Sequence, residues 1–262
     1  MNPILGIVAS QITGHLNVPP PVSGYSLWLD ASDTSTITSS SGAVSNWLDK
    51  STNAYNFAQS TSTYKPTTGT RTINSKNVID FDGTNDFLES TAASSVWKYL
   101  HNTATTWFVV GILDNSSANV WFGDQAGSTS RIGVYAYNTG TTFLAACDRG
   151  VSASGVYSGA TTDTYSTSPV YVTYKSDPTN ATAANRIKIA KNAGSFQGSN
   201  TATAAASSSD PENTMFLGTL YDTGTYGPFL NGVIGEIIFY PSLLSAGDIT
   251  SVQGYLAAKW GI

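Results

Sequence analysis

The chain has 262 residues, a length that can hold two average domains but is also ordinary for one all-β domain with a sizeable core, and it is read as one. Charged residues make up only 11% of it, the formal net charge is −5, and the 12 Lys and Arg are scattered. That excludes the basic track on which counterion release from nucleic acid depends. No stretch approaches the roughly 20 apolar residues that cross a bilayer, and the lone Cys147 excludes an intramolecular disulfide.

Residues 1–23 read as an arm. Ile4, Leu5, Ile7, Val8, Ile12 and Leu16 are too few to bury one another, so they are expected to be contacts for assembly. No Lys or Arg precedes this run, which argues against a secretory signal. Asn2-Pro3 suits a helix start while Gly6 and Gly14 weaken one, leaving the arm's conformation open. Pro19 to Pro21 then favour a stiff polyproline II spacer before the domain, residues 24–262.

From Tyr25 onward, β-branched and aromatic runs separated by turn signals predict strands at 26–30, 77–82, 86–89, 106–113, 119–123, 131–137, 142–147, 170–174, 186–191, 215–218 and 232–240. In 186–191, Ile187 and Ile189 face one way and the basic residues the other, as on a half-exposed strand. Residues 107–113 are apolar on both faces, as a central strand covered on both sides would be. Cys147, within Phe143-Leu144-Ala145-Ala146-Cys147, is expected to act as a small buried hydrophobe. Residues 152–168 and 198–209 have few large apolar groups and predict surface loops or weak strands. One strong helix signal remains: Ser245 and Asp248 make a capping pattern, and Ile249, Val252 and Leu256 follow at helical spacing before Gly261. Its narrow stripe should dock on the sheets as a clasp. Lys259 carries no expected role.

Three blocks resemble a known family. The first is Leu27-Trp28-Leu29-Asp30-Ala31-Ser32-Asp33 with Asn46-Trp47-Leu48-Asp49-Lys50-Ser51 and Tyr55-Asn56-Phe57-Ala58-Gln59. The second is Val78-Ile79-Asp80-Phe81-Asp82-Gly83-Thr84-Asn85-Asp86-Phe87-Leu88. The third runs from Leu230 through Glu236 to Tyr240 and into the terminal helix ending at Trp260. In order and separation they resemble the laminin-G-like, concanavalin A-like jelly-roll domains of bacterial surface and phage proteins. The resemblance implies an all-β antiparallel β-sandwich jelly roll with a short C-terminal helix behind the N-terminal arm. Such sandwiches host lectins, glucanases, adhesins and passive modules, so it implies far less about function. Ile4 to Ser10 is also similar to the opening of many small phage structural proteins.

Catalytic chemistry has little to stand on. Glycosidases need two carboxylates about 5–9.5 Å apart, and none of the three glutamates, Glu89, Glu212 and Glu236, begins the paired pattern of this fold's glucanases. Asp80 and Asp82 share a strand face, but the reading as turn-shaping residues is favoured. His15 and His101 have no nucleophile motif beside them. Related lectin-like domains often hold calcium, and Asp80, Asp82, Asn85 and Asp86, then Asp30, Asp33 and Asp49, are its candidate ligands, with turn and edge roles favoured. Among the six tryptophans and fourteen tyrosines that could stack on sugar rings, Trp107, Trp121 and Trp260 read as core. Tyr221 and Tyr226, in a Gly-rich loop, are the better carbohydrate-binding candidates, with ordinary loop packing favoured even there. Glu236 lies among apolar residues and is expected to be a structural carboxylate satisfied by a loop.

The expected function is a non-enzymatic virion structural protein of phage. Its arm would hold other virion proteins in an oligomeric assembly, while the jelly roll serves as a capsid or tail decoration or a glycan-adhesion module for cell-surface glycans. No cofactor is expected beyond possible calcium. The alternatives are a secreted or cell-surface bacterial carbohydrate-binding domain and a divergent glycoside hydrolase.

Overall fold

A computed structural model describes residues 18–124, 132–140, 142–149, 156–157, 167–198, 207–222 and 224–262. The arm contacts Ile4, Leu5, Ile7, Val8, Ile12 and Leu16 lie outside the described residues, as do most of 152–168 and 198–209 and the side chain of Cys147.

Two antiparallel sheets face each other. The first is built around the longest strand, Asn231–Tyr240. One edge of that strand carries Leu27–Asp30 and Lys76–Asp82 end to end, with Thr67–Ile73 beyond. Its other edge carries Thr105–Leu113, followed by Val170–Ser176, Ile187–Lys191 and Gln197–Gly198. The second sheet runs Ile37–Ser40, Ala43–Trp47, Phe57–Ala58, Leu88–Ser90, Phe216–Leu217, Asn119–Gly123, Ile132–Thr139, Thr142–Arg149 and Val156–Tyr157. A single pairing, Ala43 with Thr67, joins the two. The architecture is an all-β antiparallel sandwich with one long helix at its C-terminal end.

Period-two alternation sorts each strand between two cores. Leu27, Leu29, Trp107, Val109, Val172, Tyr174, Ile237 and Phe239 point between the sheets, against Val44, Trp47, Phe57, Leu88, Trp121, Phe122 and Leu217. Their neighbours Trp28, Phe108, Val110, Tyr171, Val233, Ile238 and Tyr240 point outward and are covered by Ile249, Val252, Leu256 and Trp260 of the helix Ala246–Trp260. Residues 107–110 are therefore wholly buried because both faces of their sheet are covered. All six tryptophans are buried, at 4% exposure or less, so none is a sugar platform.

The helix begins as the sequence predicts. Ser245 Oγ accepts from Asp248 N (3.1 Å) and donates to Asp248 Oδ2 (2.7 Å), and Gly261 ends the helix in the left-handed region at φ 69°. Gly235 lies at a bulge in Asn231–Tyr240, where a Cβ would come within 2.9 Å of the Trp260 ring. The absence of a side chain there lets the helix end lie on the sheet.

Beneath that helix end lies a buried ionic network. Glu236, fully covered, accepts on Oε1 from Trp28 Nε1 (2.7 Å) and Tyr255 OH (2.8 Å), and on Oε2 from Trp260 Nε1 (2.7 Å) and Lys259 Nζ (2.9 Å). Lys259 also reaches Asp30 (2.8 Å), and Lys50 spans Asp30 (3.2 Å) and Asp33 (2.8 Å). Two expectations are corrected here. Glu236 is satisfied by strand and helix side chains rather than a loop, because it points to the helix-covered face. Lys259 is the cation that makes burial of two carboxylates tolerable.

Candidate functional site

Three loop segments meet beside the second sheet. The turn after Lys76–Asp82 is closed by Asp82 Oδ1, which accepts from Thr84 N (2.8 Å) and Asn85 N (3.1 Å), and by Asp86 Oδ2, which accepts from Asp82 N (3.1 Å). Gly83, at φ 75°, supplies the left-handed step beside Asn231. Phe87 N then donates to Tyr64 O (3.0 Å), tying in the Ser62–Tyr64 turn. The third segment is a small hairpin, Tyr221–Asp222 with Thr225–Tyr226, where Tyr221 and Tyr226 are direct cross-strand partners. Such partners project from one face, and their rings lie 4.7 Å apart.

These segments and the strand Phe216–Leu217 assemble five aromatic rings. Tyr226 stacks on Phe87 at 4.4 Å and meets Phe216 edge-on at 5.9 Å, while Tyr64 lies 5.5 Å from Phe87 and 6.4 Å from Tyr226. Phe87 and Phe216 are 3% exposed and form a floor; Tyr64, Tyr221 and Tyr226 are half-buried and form a rim. The described residues supply no hydrogen bond to the three rim hydroxyls. An amphipathic ring fixed by packing, with a free polar tip, is the chemistry of a contact surface.

The electrostatics of the rim are acidic. Glu89 is paired in register with Phe216, and partial burial raises its carboxyl pKa. The Tyr226 phenol is raised by burial first and then by the Glu89 charge. Asp222 Oδ1 is buried with no partner among the described residues. Beside Phe87 a pocket of about 290 Å³ is lined by Thr63, Lys65, Thr67, Asp80, Asp82, Asn85 and Asp86. Burial, with Asp82 and then Asp80 adding like charge, pushes the Asp86 carboxyl up to about 7.

The structure thus brings together two groups that the sequence treats separately, the tyrosines and the candidate calcium ligands. The acids themselves are engaged in the fold: Asp80 holds Arg71 (3.1 Å) and Thr70 (3.2 Å), and Asp82 shapes its turn. Asp49 accepts from Trp28 N, Ser51 N, Ser51 Oγ and Tyr55 N, and Asp30 and Asp33 are paired with Lys50. Among the described residues no group of three or more His, Cys, Asp or Glu side chains is arranged to hold a metal ion. His101 is buried, with Nε2 3.0 Å from Ser209 O, and desolvation lowers its pKa to about 4.

Sequence reasoning did not single out Tyr64, Phe87, Phe216 or Glu89 for this site. Phe87 sits within the family-like hairpin block, whereas Tyr64 lies in a Ser/Thr-rich stretch without periodic signal. A larger cleft, of about 760 Å³, borders Asp30, Asp33, Tyr255 and Lys259, but Asp30 and Lys259 are already paired in the network beneath the helix.

No protein-family model matches the chain, and no curated protein matches it in sequence. Solved structures do resemble it. A Trypanosoma rangeli sialidase in covalent complex with 2,3-difluorosialic acid aligns with TM-score 0.58 at 10% identity, over 89% of this chain and 33% of the sialidase chain. A mutant of that sialidase displaying trans-sialidase activity aligns at 0.59 and 10%, over 93% and 34%. The receptor-binding domain of botulinum neurotoxin C/D mosaic serotype aligns at 0.52 and 10%, over 88% and 51%. The chain therefore spans about a third of the sialidase and half of the toxin domain, and at these identities the likeness is one of fold.

Proposed function

We propose that the protein is a glycan-binding module of the concanavalin A-like, laminin-G-like jelly-roll kind, and that Tyr64, Tyr221 and Tyr226 form its contact surface. The observation that carries this reading is the ring cluster itself. Residues from four separate segments hold three half-buried phenols over a Phe87–Phe216 floor, with hydroxyls free of described partners. Flat rings match the C–H faces of pyranoses, and preorganisation limits the entropy lost on binding.

The module binds without turnover. Asp80 and Asp82 are committed to an ion pair and a turn, and Glu236 is sealed under the helix. The setting we propose is a virion, with the sandwich displayed as a decoration or adhesion module and residues 1–23 holding other virion proteins; a bacterial cell surface is the alternative. Its support is the apolar arm, Pro19 to Pro21, and a surface rich in Ser, Thr and Asn.

The test is retention of the full chain on immobilised oligosaccharides, comparing wild type with Tyr226→Ala and Tyr221→Ala after melting curves confirm folding. Each variant should lose binding by at least about tenfold, an amount equal to about 1.4 kcal/mol. Absence of any glycan binding, or binding untouched by both substitutions, would refute the reading. Release of sugar from any bound polysaccharide would refute the non-catalytic part.

A further inference from the structure

We infer that the glycan taken by this platform is uncharged, carrying no sialic acid, uronic acid or sulfate at the position that meets the tyrosines. The inference deepens the platform reading and rests on it. Its basis is the sign of the charges around the rings. Glu89 stands beside Phe216 in the sheet, Asp222 lies within the hairpin between Tyr221 and Tyr226, and Asp82 and Asp86 flank the turn that delivers Phe87. Lys65, which follows Tyr64, is the cation lining the adjoining pocket. Arg71, which reaches Asp80 of that pocket through Nη1, has both Nη atoms on Asp114.

An anionic sugar needs the opposite arrangement. A carboxylate is recognised by the two-pronged donor face of a guanidinium or by an ammonium, and one placed among carboxylates loses hydration without gaining a partner. Uncharged pyranosides carry hydroxyls that donate to Glu89 and Asp222 while the ring stacks on Tyr226, so the acidic rim serves them as an acceptor surface. Glu89, exposed between buried Leu88 and Ser90, is an acceptor of this kind.

The experiment presents the full chain with immobilised oligosaccharides in matched pairs, each an uncharged core and the same core capped with sialic acid, at neutral pH. Binding should be at least tenfold tighter to an uncapped core. The ratio should narrow in Glu89→Gln/Asp222→Asn and in added salt, because the discrimination is electrostatic and partly exposed. Equal or tighter binding to capped glycans that is lost in Tyr226→Ala would overturn this inference and leave the platform reading standing. A preference for uncapped cores that neither charge removal nor salt alters would also overturn it, assigning the preference to shape. No binding to either member of any pair would overturn both.

Discussion

Replacing Lys259 by Met should be among the most damaging single changes to this fold. The ammonium lies 2.8 Å from Asp30 and 2.9 Å from Glu236, whose side chains are 1% and 0% exposed, and is itself 13% exposed. Met keeps most of the stem's packing and removes only the charge, leaving two buried carboxylates side by side with Lys50 still paired to Asp30. Breaking a buried pair from one side costs about 3–5 kcal/mol, which for a domain of this size is a fall in Tm of roughly 6–20 °C. The pH dependence has a definite sign. Burial already raises the Glu236 pKa, with Lys259 opposing it, so loss of Lys259 raises it further. A folded-state pKa above the unfolded one makes the protonated fold relatively more stable, so the deficit should narrow as pH falls from above the folded-state pKa toward the ordinary carboxylate range. Thermal melts of wild type, Lys259→Met and Lys259→Met/Glu236→Gln across that range are the assay, with the double variant recovering part of the loss. A Lys259→Met protein melting within about 1 °C of wild type at pH 8 would refute the reasoning.

Three further outcomes are expected. Leu256→Ala, at a fully buried site under the helix, should lower the unfolding free energy by about 2–5 kcal/mol in urea titrations, with no effect if the helix is reserved for an outside partner. Asp86→Asn should gain stability relative to wild type between pH 4 and pH 8. The wild-type carboxyl holds its proton up to about 7 only when folded and forfeits stability as pH rises through that range; His101, with the opposite slope, cancels in the difference. A flat difference curve would count against a buried Asp86. Deleting residues 1–18 should leave the sandwich folded, as judged by circular dichroism, while abolishing co-assembly; unfolding of the truncated chain would place the arm in the core instead.

The fold was legible where burial imposes periodicity. The runs around Trp107, Trp121, Val170 and Ile237 mark strands because successive apolar residues there are buried on both strand faces. The strands Ile37–Ser40 and Thr67–Ile73 escaped notice because they are Ser/Thr-rich and mostly half-buried or exposed, so no apolar rhythm is written into them. The family-like blocks have a structural explanation: Trp28, Asp30, Asp33, Lys50, Glu236, Lys259 and Trp260 all belong to the network under the helix. These residues of the first and third blocks mark the fold, whereas the second block contributes Phe87 to the ring cluster.

Composition and pattern alone determined that the chain is all-β and that a capped helix closes it, since these depend on local propensity and spacing. Only the tertiary structure decided that Phe87 stacks on Tyr226 across 139 positions of sequence, that Tyr64 joins them, and that Lys259 neutralises Asp30 and Glu236. The physical reason is that strand order and register determine which distant residues become neighbours. Stacking between rings and compensation between buried charges arise only once that pairing exists.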